Sequence, residues 1–179
     1  MVARELIWAS VLLLTFAAAV LDWRSRKIPN WLTVSGILAG IILRTTLGGW
    51  PGAKSSLEGV GLALGLLLPL VLLRALGAGD WKLMGAVGAF VGPALFLFIL
   101  FGSILASGLM SAIQTIKTKR VKETFLNIVE LVRGFVIFGF QPNPHISLDN
   151  PKLMKIPFGM AVAVSTAVCF VVALVMNKV

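Results

Sequence analysis

Asp22 and Asp80 are the residues of this 179-residue chain whose type and spacing best fit chemistry. Asp22 closes the first long apolar run and Asp80 follows the third. Two membrane-length segments therefore lie between them, and a helical bundle returns both to the same end. If the two carboxyls approach within a few ångströms, like charges cannot both ionise easily, and the pair shares a proton. One Asp then activates water as general base while its protonated partner polarises a carbonyl, which is how paired aspartates hydrolyse peptides. Gly77 and Gly79, just ahead of Asp80, would let a substrate backbone lie alongside. The competing explanation is local charge balance, with Asp22 against Arg24 and Arg26, and Asp80 against Lys82. Acidic groups at a membrane edge are nonetheless a functional hypothesis by default.

Other chemistries lack their residues. No His-Glu-x-x-His helix is present for zinc, and no Cys pair accompanies Cys169. The one histidine, His145, falls in a proline-rich loop, so Ser103 and Ser107 have no base to activate them. Gly77-Ala78-Gly79 does not follow a strand and does not read as a phosphate loop. No metal and no cofactor are expected, and for a hydrolase the aspartates are the candidates.

The elements that must position these groups are membrane helices. The chain is 58% apolar and 13% charged, with a mean hydropathy of +0.97. Long apolar runs exclude the alternating strands of a membrane β-barrel. The expectation is an all-α integral membrane protein, a six-helix transmembrane bundle forming one unit over residues 1–179. The spans are Leu6 to Leu21, Trp31 to about Leu47, about Leu57 to Leu76, a short fourth helix from Leu83, a fifth reaching Ile116, and about Ile156 to Met176. Gly48-Gly49-Trp50-Pro51-Gly52 is a turn, and Gly92-Pro93 divides the fourth helix from the fifth. Ala17, Ala18 and Ala19 resemble a cleavage site, but the start lacks a net positive region, so the first helix is expected to be retained. Pairs of glycines four apart, Gly36 with Gly40 and Gly61 with Gly65, are expected to pack helices closely. Lys117 to Lys155 is the long polar connection, with an amphipathic interfacial helix over Glu123 to Phe140.

Net charge is +9, from 16 basic and 7 acidic residues. In a membrane chain this excess marks the cytoplasmic ends of helices and contact with lipid, not a nucleic-acid partner. Alternating connections collect 12 basic residues on the side of Asp22 and Asp80 and 4 on the other (Arg4, Arg44, Lys54 and Lys178). The aspartates are thus expected at the cytoplasmic face, with both termini outside.

Three stretches carry a resemblance. Asp22-Trp23-Arg24-Ser25-Arg26-Lys27-Ile28-Pro29-Asn30, Gly77-Ala78-Gly79-Asp80-Trp81-Lys82-Leu83-Met84 and Ile156-Pro157-Phe158-Gly159 resemble, in order, signatures of the type IV prepilin peptidases. The resemblance implies a metal-independent aspartic peptidase of the cytoplasmic (inner) membrane. Its substrates would be prepilins or pseudopilins, cut on the cytoplasmic side after a basic leader ending in Gly. Asp22 and Asp80 match the catalytic positions, Gly77 and Gly79 the family's glycines, and Lys82 a motif position of supporting role. No cytoplasmic domain with paired Cys-x-x-Cys motifs is seen, so the chain resembles the short, peptidase-only Tad/Flp-type branch, without N-methylation. Alternatives are an aspartic intramembrane protease acting on other signal-like helices, and a small transporter or assembly subunit. The sequence does not set an oligomeric state.

Overall fold

A computed structural model describes residues 2–119, 124–126, 129 and 157–176. Among them the chain is helical without strands, in four helices: α1 (Val2–Ser25), α2 (Asn30–Leu72), α3 (Ala78–Lys117) and α4 (Phe158–Met176). All four are long and apolar enough to cross a membrane. Their outward faces remain apolar too, with Leu13, Ile42, Phe98, Phe101, Val168 and Val175 all exposed. In water such a surface would aggregate; against lipid it is at rest. The interfacial helix expected over Glu123 to Phe140 and the loop holding His145 lie outside the described residues, apart from 124–126 and 129.

The long helices are not straight rods. At 1.5 Å per residue α2 would measure roughly 65 Å and α3 roughly 60 Å, about twice the thickness of a bilayer core. Each is interrupted by a glycine: Gly49 in α2 (φ 57°, ψ −145°) and Gly92 in α3 (φ 77°, ψ 176°). Glycine adopts such positive φ without steric penalty. Pro51 and Pro93 follow, at places where a new helical stretch begins and a proline's missing N–H costs least.

Contacts show how α2 is folded. Before Gly49, Gly36 lies against Ala86 and Gly40 against Ala89, so this half runs parallel to the start of α3. After Gly49 the order is reversed: Ser56 reaches Ala89, Gly59 meets Gly88, and Leu64 lies against Gly85. The two halves of α2 therefore run in opposite directions with the first half of α3 against both. Leu83 to Gly92 of α3 are buried without exception, the all-round burial of a core helix. This is the segment that the sequence makes a short fourth helix. Its neighbours are protein, so it does not need the length of a lipid-facing span.

Helix α1 buries a stripe of Trp8, Val11, Thr15, Ala18 and Asp22, spaced three and four apart. Asp22 is thus placed inward by helical register. Helix α4 runs antiparallel to α1, with Trp8 and Phe170 ring centroids 5.5 Å apart. Ser165 of α4 donates to the Ile99 carbonyl of α3 at 2.8 Å.

One expectation needs correction. Gly61 and Gly65 are not packing glycines: both have open space where a Cβ would stand. The buried face of this half of α2 is Gly52, Ser56, Gly59, Ala63 and Leu67, and Gly61 and Gly65 fall on its other side. A Cβ on Gly59 would instead collide with the Gly88 carbonyl. Gly59→Ala should cost about 1–3 kcal/mol or more, since backbone must move. Gly61→Ala should be neutral or stabilising by up to about 1 kcal/mol. Thermal unfolding of both variants in detergent checks the pair.

Candidate active site

The site begins at the end of α1. Arg26 turns into the left-handed region (φ 53°) and its N–H returns to the Asp22 carbonyl at 2.9 Å, closing the helix. Ser25 Oγ donates to the carbonyls of Leu21 and Lys27, which holds the turn. Pro29 then presents extended backbone (φ −70°, ψ 144°) ahead of α2. The short connection lays Ile28, itself buried, over Gly79, where a Cβ would sit 3.1 Å from the Ile28 carbonyl oxygen.

Asp22 is 7% exposed. Its Oδ2 accepts the backbone N–H of Gly159 at 2.9 Å, across 137 positions of chain. Gly159 is the second residue of α4, so the carboxylate occupies a helix N-terminus, where unpaired N–H groups and the helix dipole favour an anion. A side chain on Gly159 would press on Asp22, with a Cβ 3.1 Å from both its Cβ and its Oδ2. Arg26 lies within electrostatic reach of Asp22, so part of the local charge balance is present.

Asp80 sits in the first turn of α3. Gly77 stands at the N-cap in extended conformation (φ −67°, ψ 141°), and the Trp81 N–H bonds its carbonyl at 3.0 Å. The carboxyl folds back over Gly77, where a Cβ would lie 2.9 Å from Asp80 Oδ2. Trp81 Nε1 donates to the Leu64 carbonyl at 2.9 Å and holds this turn against α2. Asp80 is close enough to Asp22 for the charge of one to act on the other. Lys82 does not neutralise Asp80: its ammonium donates to Asn30 Oδ1 at 2.9 Å and bridges the start of α2 to the start of α3.

Among the described residues no three His, Cys, Asp or Glu side chains gather as a metal would need. A cavity of about 770 Å³ lies between α1 and the first half of α2, beside Leu14, Gly36 and Phe90, and neither aspartate lines it.

A model of the type IV leader peptidase family matches residues 9–112, more than half of the chain and both aspartates. The chain belongs to the type IV leader peptidase family. The fold described above is therefore the fold of a peptidase. Comparison with curated proteins and with solved structures gives no match.

The matched stretch stops short of α4, which supplies the N–H that holds Asp22. Gly159 and Asn30 are the site residues to which sequence reasoning assigned no role, although both fall in the quoted motifs. Neither carries a signal of its own: a glycine's N–H and a turn asparagine acquire a task only from what the fold brings opposite. The Asn30 and Lys82 tie is measurable. In a double-mutant cycle with Asn30→Leu and Lys82→Met, unfolding in detergent should give a coupling of about 0.5–1.5 kcal/mol, and near zero if the bond does not form.

Proposed function

We propose that this chain is an aspartic endopeptidase of prepilin or pseudopilin leaders, with Asp22 and Asp80 as its catalytic pair. The observation that carries the reading is that two acids from distant motifs lie at one end of the bundle, within electrostatic reach of each other, in a chain of the leader peptidase family. The Gly159 N–H suits an ionised Asp22, which makes Asp22 the base and a protonated Asp80 the acid. Asp22 takes a proton from water as the water oxygen bonds the scissile carbonyl carbon. Asp80 donates a hydrogen bond to the carbonyl oxygen as charge gathers there. The tetrahedral species collapses, the C–N bond breaks, and a proton from the carboxyl pair goes to the departing amine. Gly77 leaves room for the Asp80 carboxyl to fold back, Gly79 lets Ile28 of the first motif pack closely, and Lys82, held by Asn30, keeps the two motifs together.

In this reading the chain lies in the cytoplasmic membrane. The breaks at Gly49 and Gly92 are reversals, the chain makes six passes, and both termini are outside. The 12 basic residues on the side of the aspartates put the site at the cytoplasmic face, where a basic leader would be presented.

Incubation of the purified protein with a prepilin, reading the new N-terminus by mass spectrometry, tests the reading. Cleavage after the leader's Gly is expected, and a chelator should leave the rate unchanged. Asp22→Asn and Asp80→Asn should each lower the rate by a factor on the order of 10³ or more while the protein stays inserted and extractable. Normal cleavage by either variant would falsify the two-aspartate mechanism. Flux or a pH-dependent current in vesicles without cleavage would point to the transporter alternative.

A further inference from the structure

Helix α3 is interrupted among apolar neighbours, and an interruption there leaves backbone carbonyls without partners. Pro93 has no N–H for the Ala89 carbonyl, four residues earlier. The donor for Phe90 would be the N–H of Ala94, beyond the positive-φ break at Gly92. Both carbonyls are instead served from α2. Ser56 Oγ donates to the Ala89 carbonyl at 2.7 Å, and Arg44 Nη1 donates to the Phe90 carbonyl at 3.1 Å. Arg44 Nη2 donates to Ser55 Oγ at 2.8 Å, so the guanidinium is held from both halves of α2 across the Gly49 turn. A cation at the C-terminal end of a helical stretch also meets its dipole favourably.

These bonds matter because much of the wall around this half of α3 is smooth. It meets α2 at Gly36, Gly40, Gly59 and Gly88 mainly through alanine or bare backbone, while Gly85 receives the side chains of Leu64 and Ile37. Small residues permit close approach but offer few side chains to interlock, so they set distance between helices better than position along them. Directional bonds at the two ends then fix axial position more sharply: Trp81 and Lys82 near Asp80, and Ser56 and Arg44 near Gly92. From Asp80 to Phe90 is one stretch of helix roughly 15 Å long, stiff enough to carry a shift at one end to the other.

We propose that Arg44 is a positioning residue which, by capping the broken end of the first half of α3, sets the depth of Asp80 relative to Asp22. The proposal rests on the reading of those two residues as the catalytic pair. Without the guanidinium, Phe90 must find another donor in an apolar setting. The direct route is relaxation of Gly92 toward helical geometry, which displaces the segment bearing Asp80. A misplacement of about 1 Å at reacting groups costs on the order of a hundredfold in rate.

The test uses the full chain in membranes and two measurements. In prepilin cleavage, Arg44→Met should lower kcat by about 10- to 100-fold with KM within about twofold, and Arg44→Lys, which keeps a donor for Phe90, should recover most of the loss. Independently of activity, disulfide formation between cysteines in an Asp22→Cys, Asp80→Cys, Cys169→Ala chain should fall several-fold when Arg44→Met is added, and recover with Arg44→Lys. Should Arg44→Met fail to fold, Ser55→Ala, which removes the hydroxyl orienting the guanidinium, carries both measurements. Unchanged cross-linking, or a loss of kcat that lysine does not restore, overturns the proposal. Loss of cross-linking in a chain whose parent cuts no prepilin overturns the prepilin reading and leaves the role of Arg44 in placing Asp80 standing.

Discussion

Backbone against backbone at Gly59 and Gly88 is the contact on which the arrangement rests, because no side chain larger than hydrogen fits between α2 and α3 there. With Gly36 and Gly40 on the opposite flank, it lets the two halves of α2 close on the first half of α3 and bury Leu83 to Gly92 completely. Everything at the candidate site is referred to that enclosed stretch. Asp80 stands in its first turn, Trp81 bonds α2, and Lys82 reaches Asn30. In a lipid setting apolar burial gives helices little reason to prefer one another over acyl chains, so close approach and polar bonds carry the specificity.

Asp22 comes to the same place by a different route. Its inward direction follows from the three-and-four spacing of the buried face of α1, and its carboxylate is held by the N-terminus of α4. First and last helices are thus joined at a single oxygen, while α2 and α3 bring the second carboxyl. A site assembled in this way depends on all four helices, in a chain that belongs to the leader peptidase family. Ser56, Arg44 and Ser165 each donate, inside the apolar layer, to a backbone carbonyl of α3. That helix is broken at Gly92, and the carbonyls of Ala89 and Phe90 next to the break are covered by Ser56 and Arg44.

Much of this was legible in the residues themselves. The apolar runs, the turns at Gly48-Gly49 and Gly92-Pro93, and the shared side of Asp22 and Asp80 follow from composition and from counting spans. The short stretch after Leu83 reads poorly as a span, and its complete burial explains why: it was written for a protein environment. The glycine pairs show where local reading stops. Gly36 with Gly40 and Gly61 with Gly65 have the same spacing, yet the first pair is packed and the second is bare. Spacing says that two residues share a helix face, and not which face meets a neighbour.

By itself, then, the sequence determined an all-helical membrane chain with two acids at one end of its bundle, because hydropathy, glycine and proline act through neighbouring residues. Tertiary structure decided that Gly59 and not Gly61 is the close contact, that Gly159 holds Asp22, and that Lys82 turns to Asn30 instead of Asp80. It also decided which carbonyls Arg44 and Ser56 would cover. Each of these pairs groups far apart in the chain, and a hydrogen bond or a steric fit exists only once folding has brought its two members within a few ångströms.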